Sequence, residues 1–134
     1  MKKLLLLFLL FCLAACEREF KMSDVAGKWQ LSNMNGQPVV NMRVGGVTLE
    51  IQQDGKFAGQ APVNRYFGQI KVEDNILKTG PIGSTMMAGP PENMQAEQQY
   101  FQALGEHLKS AKIENGQLVI TAMDDKKLVF DRAH

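Results

Sequence analysis

The chain has 134 residues, of which 15 are Lys or Arg and 14 are Asp or Glu, so its formal charge at neutral pH is +1. A chain this close to neutral gives no electrostatic reason to expect a nucleic-acid partner. Its length suits one domain that buries most of its apolar surface, without the metal or disulfide support that much smaller domains need.

The N-terminal segment has the features of an export signal. It opens with two lysines, continues with an unbroken apolar run over residues 4–13 and ends in small residues before Cys16. The run is shorter than the roughly 20 residues that span a bilayer, so we expect a cleaved signal peptide over residues 1–15. The letters LAAC at its end resemble the bacterial lipobox, whose cysteine becomes the new N-terminus. We therefore predict lipidation of Cys16, for example by palmitate; an ordinary signal followed by a free cysteine is the alternative.

Lipidation would also determine where the domain works and which chemistry it can use. Cys12 leaves with the signal and Cys16 is modified, so no free thiol remains for a disulfide, a nucleophile or a zinc site. In the lipoproteins that this segment resembles, aspartate directly after the cysteine favours the inner membrane, whereas this chain has Glu17. We expect an outer-membrane lipoprotein that faces the periplasm, with residues 16–24 as a lipidated tether and residues 25–134 as the domain.

Alternation of apolar and polar residues between turn dipeptides predicts a sheet over most of the domain. Val47, Leu49 and Ile51 alternate with polar residues before Asp54-Gly55, a dipeptide that suits a hairpin turn with positive φ. The same arrangement recurs at Asn35-Gly36, Asp74-Asn75, Asn115-Gly116 and Asp124-Asp125. These units predict antiparallel strands joined by tight turns.

One segment breaks the alternation and predicts an amphipathic helix over about residues 92–109. Pro90-Pro91 and Glu92 suit a helix N-terminus, because proline is favoured in the first turn and an acidic group is favoured at the positive end of the helix dipole. Apolar residues recur at spacings of seven, three and four, at Met94, Phe101, Leu104 and Leu108. Polar residues mostly take the other side, at Glu97, Gln98, Gln102 and Glu106. The predicted fold is α+β and mainly antiparallel β: a compact sheet or partial barrel with this one helix against it.

Several motifs, in this order and at these spacings, resemble the META domain family, which includes HslJ-like bacterial lipoproteins. The motifs are Trp29-x-Leu31, Thr48-Leu49-x-Ile51, Asp54-Gly55-x-Phe57-x-Gly59, Asn64-x-Tyr66-x-Gly68, Ser84-Thr85-Met86-Met87-Ala88 and Phe101-x-Ala103-Leu104. The resemblance covers the domain from about Val25 to Arg132. It implies a compact antiparallel sheet or partial barrel with one helix after the Met-Met segment, and it attaches no catalytic residue.

The candidate site consists of residues from these family motifs: Asn64, Tyr66, Gly68, Thr85 and Met87. Asparagine bonds backbone at bends, tyrosine buries a large area, and glycine permits close approach or positive φ. A structural corner is one interpretation of this signature and contact with a ligand is the other.

The chain departs from the family at two positions. Many members have cysteine where this chain has Val63 and Gly89, and the two cysteines are absent together, as expected if they form one bridge in those relatives. The resemblance therefore implies that this domain has lost a bridge across about 25 residues. Such a bridge contributes roughly 3 kcal/mol to the free energy of unfolding, and in this chain packing must supply that stabilisation.

The sequence offers few groups for catalysis or metal binding. His107 and His134 have no partner residues in a triad pattern, and Asp124-Asp125 lies in a predicted turn. Met86, Met87 and Met94 with His107 resemble a soft Cu(I) ligand set, but we expect the methionines to fill gaps in the core or to line an adaptable binding surface, with core packing favoured. We therefore predict a protein that is not an enzyme and has no cofactor or metal.

The resulting functional hypothesis is a non-enzymatic, lipid-anchored envelope protein that binds a protein or small ligand. By resemblance, its role is envelope maintenance or stress tolerance. The alternatives are a pilotin-like lipoprotein that binds an outer-membrane component, and a protease inhibitor. An apolar groove beside the helix over Tyr100 to Leu108 would favour binding or assembly, whereas a protruding rigid loop would favour inhibition. The loop from Gly80 to Pro91 is the expected surface for an envelope protein partner.

Overall fold

The computed structural model describes residues 19–38 and 46–134. The predicted signal peptide, Cys16 and the first part of the predicted tether lie outside these residues. In chain order the elements are α1 (Met22–Val25), β1 (Gly27–Met34), β2 (Gln37–Pro38), β3 (Thr48–Ile51), β4 (Lys56–Gln60), β5 (Arg65–Glu73), β6 (Ile76–Thr79), β7 (Gly83–Ser84), α2 (Pro91–Leu104), β8 (Leu108–Glu114), β9 (Gln117–Ala122) and β10 (Lys127–Arg132).

The strands form one antiparallel sheet that curls into a nearly closed barrel. Its order is β6-β5-β4-β3-β1-β10-β9-β8, with β2 paired to β1 and β7 paired to β5. The two end strands, β6 and β8, come close to each other, and α2 packs against β8, β9 and β10. The predicted α+β, mainly antiparallel fold with one main helix is therefore confirmed.

The turns between these strands follow from the residues that form them. Each predicted turn dipeptide contains at least one residue with positive φ, for example Asn35 at 55° and Gly36 at 80°. Asn, Asp and Gly adopt this conformation at little cost, so the chain can reverse direction tightly and keep neighbouring strands in register. The predicted hairpin turns are thus confirmed.

The barrel interior is the hydrophobic core. Its largest fully buried side chains are Trp29, Tyr66, Tyr100 and Phe130. The Trp29 indole donates a hydrogen bond of 2.8 Å to the Val25 carbonyl, which fixes α1 against the sheet. Phe20 and Met22 also pack on the core, so part of the segment predicted as a tether belongs to the folded domain.

Helix α2 ends at Leu104, earlier than the predicted residue 109. The Gly105 N–H donates to the Phe101 carbonyl, and Gly105 then leaves helical geometry with φ −104° and ψ −115°. Leu108, predicted as a helical residue, instead begins β8 and pairs with Ala122. Glycine has low helix propensity, and the residues that follow it pair with β9 and do not continue the helix.

The buried face of α2 is rotated from the predicted one. The buried residues are Ala96, Glu97, Tyr100, Ala103 and Leu104. Met94 is 37% exposed, whereas the predicted solvent residue Glu97 is 4% exposed. Two alanines allow the helix to approach the sheet closely, and Glu97 finds hydrogen-bond partners inside. The buried face predicted from the stripe of large apolar residues is therefore wrong.

Candidate functional site

Asn64 lies just before β5 and joins three separate parts of the chain. Its side chain is buried, with 3% of the residue exposed. The Oδ1 atom accepts hydrogen bonds from the Thr85 hydroxyl (2.9 Å) and the Met87 N–H (2.7 Å). The Nδ2 atom donates to the Met87 carbonyl (3.2 Å) and to Glu97 Oε2 (2.7 Å). All four hydrogen-bonding positions of the amide are used, which is the condition for burying it without loss of stability.

Glu97 supports this asparagine from helix α2. Its Oε1 atom accepts hydrogen bonds from the backbone N–H groups of Val63 (3.0 Å) and Asn64 (2.6 Å), while Oε2 accepts from the Asn64 amide. A buried carboxylate is costly unless it is hydrogen-bonded, and bonds to a charged acceptor are stronger than neutral ones. Glu97 therefore fixes the corner before β5 to the helix. Helical periodicity missed this role, because the partners lie in a distant loop.

Tyr66 links the same strand to the helix through its hydroxyl group. That hydroxyl donates to the Thr48 carbonyl at 2.6 Å and shares a hydrogen bond with the Tyr100 hydroxyl. The Tyr66 ring lies 5.5 Å, centroid to centroid, from the rings of Tyr100 and Phe101. Burial raises the pKa of Tyr66 and of Tyr100 well above the ordinary value, so both hydroxyl groups stay protonated.

Two glycines make room for these aromatic side chains. A Cβ atom on Gly68 would lie 2.4 Å from the Phe57 ring, and one on Gly59 would lie 2.1 Å from the Thr48 carbonyl oxygen and 2.9 Å from the Tyr66 hydroxyl. These distances leave no space for any side chain. The spacing of two in Asn64-x-Tyr66-x-Gly68 thus places an anchor just before β5, and a buried ring and a packing gap on successive inward positions of that strand.

Of the predicted signature residues, Asn64, Thr85 and Met87 meet at this corner, whereas Tyr66 and Gly68 pack further along β5. The methionine side chains face outwards. Met86 is 94% exposed and Met87 is 53% exposed. Thr85 and Met87 reach the corner through a hydroxyl and a backbone amide, which leaves the methionine side chains in solvent. The expectation that Met86, Met87 and Met94 fill gaps in the core is therefore wrong.

Val63 and Gly89, the positions where many relatives have cysteine, lie next to each other. A Cβ atom built on Gly89 would be 3.5 Å from the Val63 Cβ and 2.8 Å from its Cγ2. The first distance lies within the range found for disulfides. In this chain the valine side chain packs directly on the glycine and occupies that space.

An open groove lies between the end of β6 and the C-terminal half of α2. It has a volume of about 610 Å³ and is lined by residues 79–82 on one side and by Gln98, Phe101, Gln102, Gly105 and Glu106 on the other. Ile82 and Phe101 make its lining predominantly apolar, and its rim is polar. A groove beside this helix is the feature that, from the sequence, would favour binding or assembly over inhibition.

A second open cleft, of about 680 Å³, lies at the N-terminal segment. Its lining includes Phe20, Asn75 and Ile113 together with charged residues of both signs. The Phe20 N–H donates to the Asn75 side chain at 3.2 Å, so this segment already occupies part of the space between β6 and β8. The lining of the groove beside α2 contains no residue of this N-terminal segment.

The histidines lie away from the buried corner. His107 is in the turn after α2, where its Nε2 atom is 3.9 Å from an oxygen of Glu106, and His134 is exposed. Across residues 19–38 and 46–134, no group of three or more His, Cys, Asp or Glu side chains could hold a metal ion. No helix in these same residues has the length and apolar character of a membrane span.

Comparison with known proteins identifies both the family and the fold. The META domain family model matches residues 22–134. An NMR structure of a protein from Burkholderia xenovorans is similar, with a TM-score of 0.64 and 22% identity over 84% of this chain and 86% of that one. A second NMR structure has a TM-score of 0.64 and 19% identity, covering 79% and 88%. A crystal structure of a DUF4847 family protein from Bacteroides vulgatus has a TM-score of 0.57 and 13% identity, covering 81% and 93%. No curated protein matches.

Proposed function

The chain belongs to the META domain family, and from that premise we propose that it is a non-enzymatic, lipid-anchored protein of the bacterial envelope that works by binding. Its ligand is an apolar segment of an envelope protein, and the binding site is the groove beside α2. The lipid on Cys16 holds the domain on the outer membrane, facing the periplasm. The proposed role of this binding is envelope maintenance or stress tolerance.

The open groove is the observation that carries this proposal. Ligand sites are typically concave and apolar, with a few polar groups at the edge that set orientation. Here Ile82 and Phe101 supply apolar surface, while Gln98, Gln102 and Glu106 lie at the rim. A short apolar segment would bury its side chains against Ile82 and Phe101. Polar or basic residues that flank the segment would bond to Gln98, Gln102 and Glu106.

The organisation of the buried polar residues supports binding over catalysis. Asn64 and Glu97 direct their side-chain atoms at each other and at backbone groups. Tyr66 and Tyr100 bond to each other, and burial raises their pKa values. A catalytic group must reach substrate with an available proton or lone pair, whereas these groups are used in holding the scaffold together.

A pull-down from native membranes tests the proposal. The tagged, lipidated protein is compared with Gln98→Lys, which places a charge in the groove, and with Gln95→Lys, which places the same charge on an exposed part of α2 outside the groove lining. We expect one envelope protein to co-purify with the wild type and with Gln95→Lys, and to be lost with Gln98→Lys.

A Cys16→Ser variant separates anchoring from binding. After solubilisation it should still bind the partner, because the groove does not involve the lipid. No partner with any of the variants would overturn the proposal. If the partner is an outer-membrane component whose assembly fails without this protein, the pilotin-like alternative is the correct form of the function.

A further inference from the structure

Met86 projects from a loop that is held on both sides. Residues 85–88 are all exposed, and Met86 is the most exposed large apolar residue of the described chain. On one side the Thr85 hydroxyl bonds to Asn64, and the Thr85 N–H donates to the Arg65 carbonyl at 3.0 Å. On the other side both backbone groups of Met87 bond to the Asn64 amide. The buried Asn64 side chain thus bonds to the residues before and after Met86, and the Arg65 backbone holds Thr85 as well.

The backbone of Met86 itself is available for recognition. Within residues 19–38 and 46–134, neither its N–H nor its carbonyl has a hydrogen-bond partner. A peptide that binds to a serine protease offers these groups at the residue that enters the primary specificity pocket, where the carbonyl oxygen occupies the oxyanion hole. The loop therefore leaves open the groups that a protease binds and fixes the groups on either side.

The support behind the loop is rigid. Asn64 is buried and is itself held by Glu97, and Val63 packs directly on Gly89 at the end of the loop. Pro90 and Pro91 follow and have restricted backbone freedom. A loop already ordered in its bound conformation loses little entropy on binding, and protease–inhibitor interfaces are typically preorganised in this way.

From this geometry we propose that residues 84–89, the Met86 loop, form a substrate-like inhibitory loop for a serine protease, with Met86 in the primary specificity pocket. The partner has an apolar pocket, because methionine is long, flexible and uncharged. A chymotrypsin-like pocket fits this side chain, whereas the acidic pocket of trypsin does not. The proposal uses a different surface from the groove beside α2 and stands independently of the function proposed above.

The same contacts explain why the protease would be inhibited and the loop not simply cut. The protease serine oxygen bonds to the Met86 carbonyl carbon, the peptide bond between Met86 and Met87 breaks, and the protease histidine passes the serine proton to the Met87 nitrogen. Asn64 keeps hold of Met87 at its nitrogen and its carbonyl. The released amine stays beside the acyl carbon, so the peptide bond re-forms faster than water hydrolyses the acyl-enzyme.

A change of specificity at Met86 provides the test. The full-length protein, solubilised in detergent, is titrated against chymotrypsin and trypsin, with hydrolysis of a small chromogenic substrate as the measurement. The wild type should inhibit chymotrypsin and not trypsin. Met86→Lys should reverse this preference by on the order of 100-fold in each inhibition constant, the scale at which a hot-spot residue acts. Met123→Lys, which changes a methionine that is 65% exposed elsewhere, should behave as the wild type.

A second variant tests the support of the loop. Thr85→Val keeps the shape of an exposed residue and removes the hydroxyl that donates to Asn64 and accepts from the Arg65 N–H. We expect cleavage after Met86, measured by mass spectrometry of the two fragments, to be more than about tenfold faster than in the wild type as the loop loses preorganisation. The proposal is overturned if wild type and Met86→Lys inhibit neither protease, or if chymotrypsin cuts the wild-type loop as fast as an unfolded peptide. Gln98→Lys should leave inhibition unchanged, so failure here is distinct from failure of the groove.

Discussion

Among single residues, Asn64 is the one whose side chain holds the most separate segments of the chain together. Its amide contacts Thr85, Met87 and Glu97, and so connects the start of β5 to the Met86 loop and to α2. An amide at this position suits both a backbone N–H and a backbone carbonyl, because it carries an acceptor and a donor side by side. Neither a carboxylate nor an apolar residue would satisfy all these groups.

Removing this amide should destabilise the fold strongly. Asn64→Ala leaves a buried carboxylate oxygen of Glu97 and the Met87 backbone without their partner, so we expect the free energy of unfolding to fall by about 3 kcal/mol. Urea titration followed by tryptophan fluorescence measures this through Trp29. Gln95→Ala on the exposed face of α2 is the control and should change stability by less than about 0.5 kcal/mol. Equal stability of the two variants would contradict the role given to Asn64.

The buried tyrosine pair predicts a loss of stability at alkaline pH. Burial raises the folded-state pKa of Tyr66 and Tyr100 above the unfolded value of about 10, so the unfolded chain releases these protons first. Their contribution is fully present below about pH 10 and is lost as the pH rises towards the folded pKa, by about 1.4 kcal/mol per pH unit for each tyrosine.

Tyr100→Phe isolates this effect. Its free energy of unfolding should fall less steeply above pH 10 than that of the wild type, because one of the two raised groups has been removed. At neutral pH the variant should be less stable by about 1 kcal/mol, since Tyr66 loses one hydrogen bond. Equilibrium unfolding at intervals from pH 8 to the alkaline limit measures both quantities, and parallel curves for the two proteins would contradict the assignment.

At the scale of elements, the sequence was informative about the strands and less so about α2. The turns could be predicted because Asn-Gly and Asp-Gly pairs act locally on the backbone. Which face of α2 is buried depends on the groups that the helix contacts in the tertiary structure. Glu97 is an inward residue because two backbone N–H groups and the Asn64 amide bond to it there. Periodicity contains no information about these distant groups.

The contacts of the Met86 loop also could not be predicted from the local sequence. An apolar run of two methionines favoured burial, but the anchoring atoms belong to a threonine hydroxyl and a backbone amide. The signature residues Asn64, Thr85 and Met87 were found from the motifs, while their mutual contacts needed the folded chain. The sequence did not predict a groove beside the helix, and the early end of α2 adds Gly105 and Glu106 to its lining as turn residues.

The contact between the corner and the loop predicts that a disulfide can be introduced. The double variant Val63→Cys and Gly89→Cys places two Cβ atoms at 3.5 Å, so we expect a bridge to form under oxidising conditions. It should raise the free energy of unfolding by roughly 3 kcal/mol relative to the reduced form of the same variant. The assay uses a chain without the signal and with Cys16→Ser, and combines thiol titration with urea unfolding. Thiols that stay free in oxidising buffer would contradict the geometry.

At the scale of the whole molecule, the fold is an almost closed barrel whose seam lies between β6 and β8. The groove opens beside the end of β6, and the Met86 loop follows β7 on the same edge of the sheet. The barrel supports both proposed recognition surfaces, while the buried corner of Asn64 and Glu97 keeps the loop and helix in place. Loops and grooves held on such a scaffold suit the function proposed above.

Site-specific photo-crosslinking in living cells tests binding in the groove most directly. A photoreactive amino acid replaces Gln98 on the groove rim or Gln95 outside it, and adducts are identified by mass spectrometry after illumination. We predict that the Gln98 position forms an adduct with one envelope protein and that the Gln95 position does not. No adduct at Gln98, or the same adducts at both positions, would contradict the claim that this protein works by binding an envelope partner in the groove.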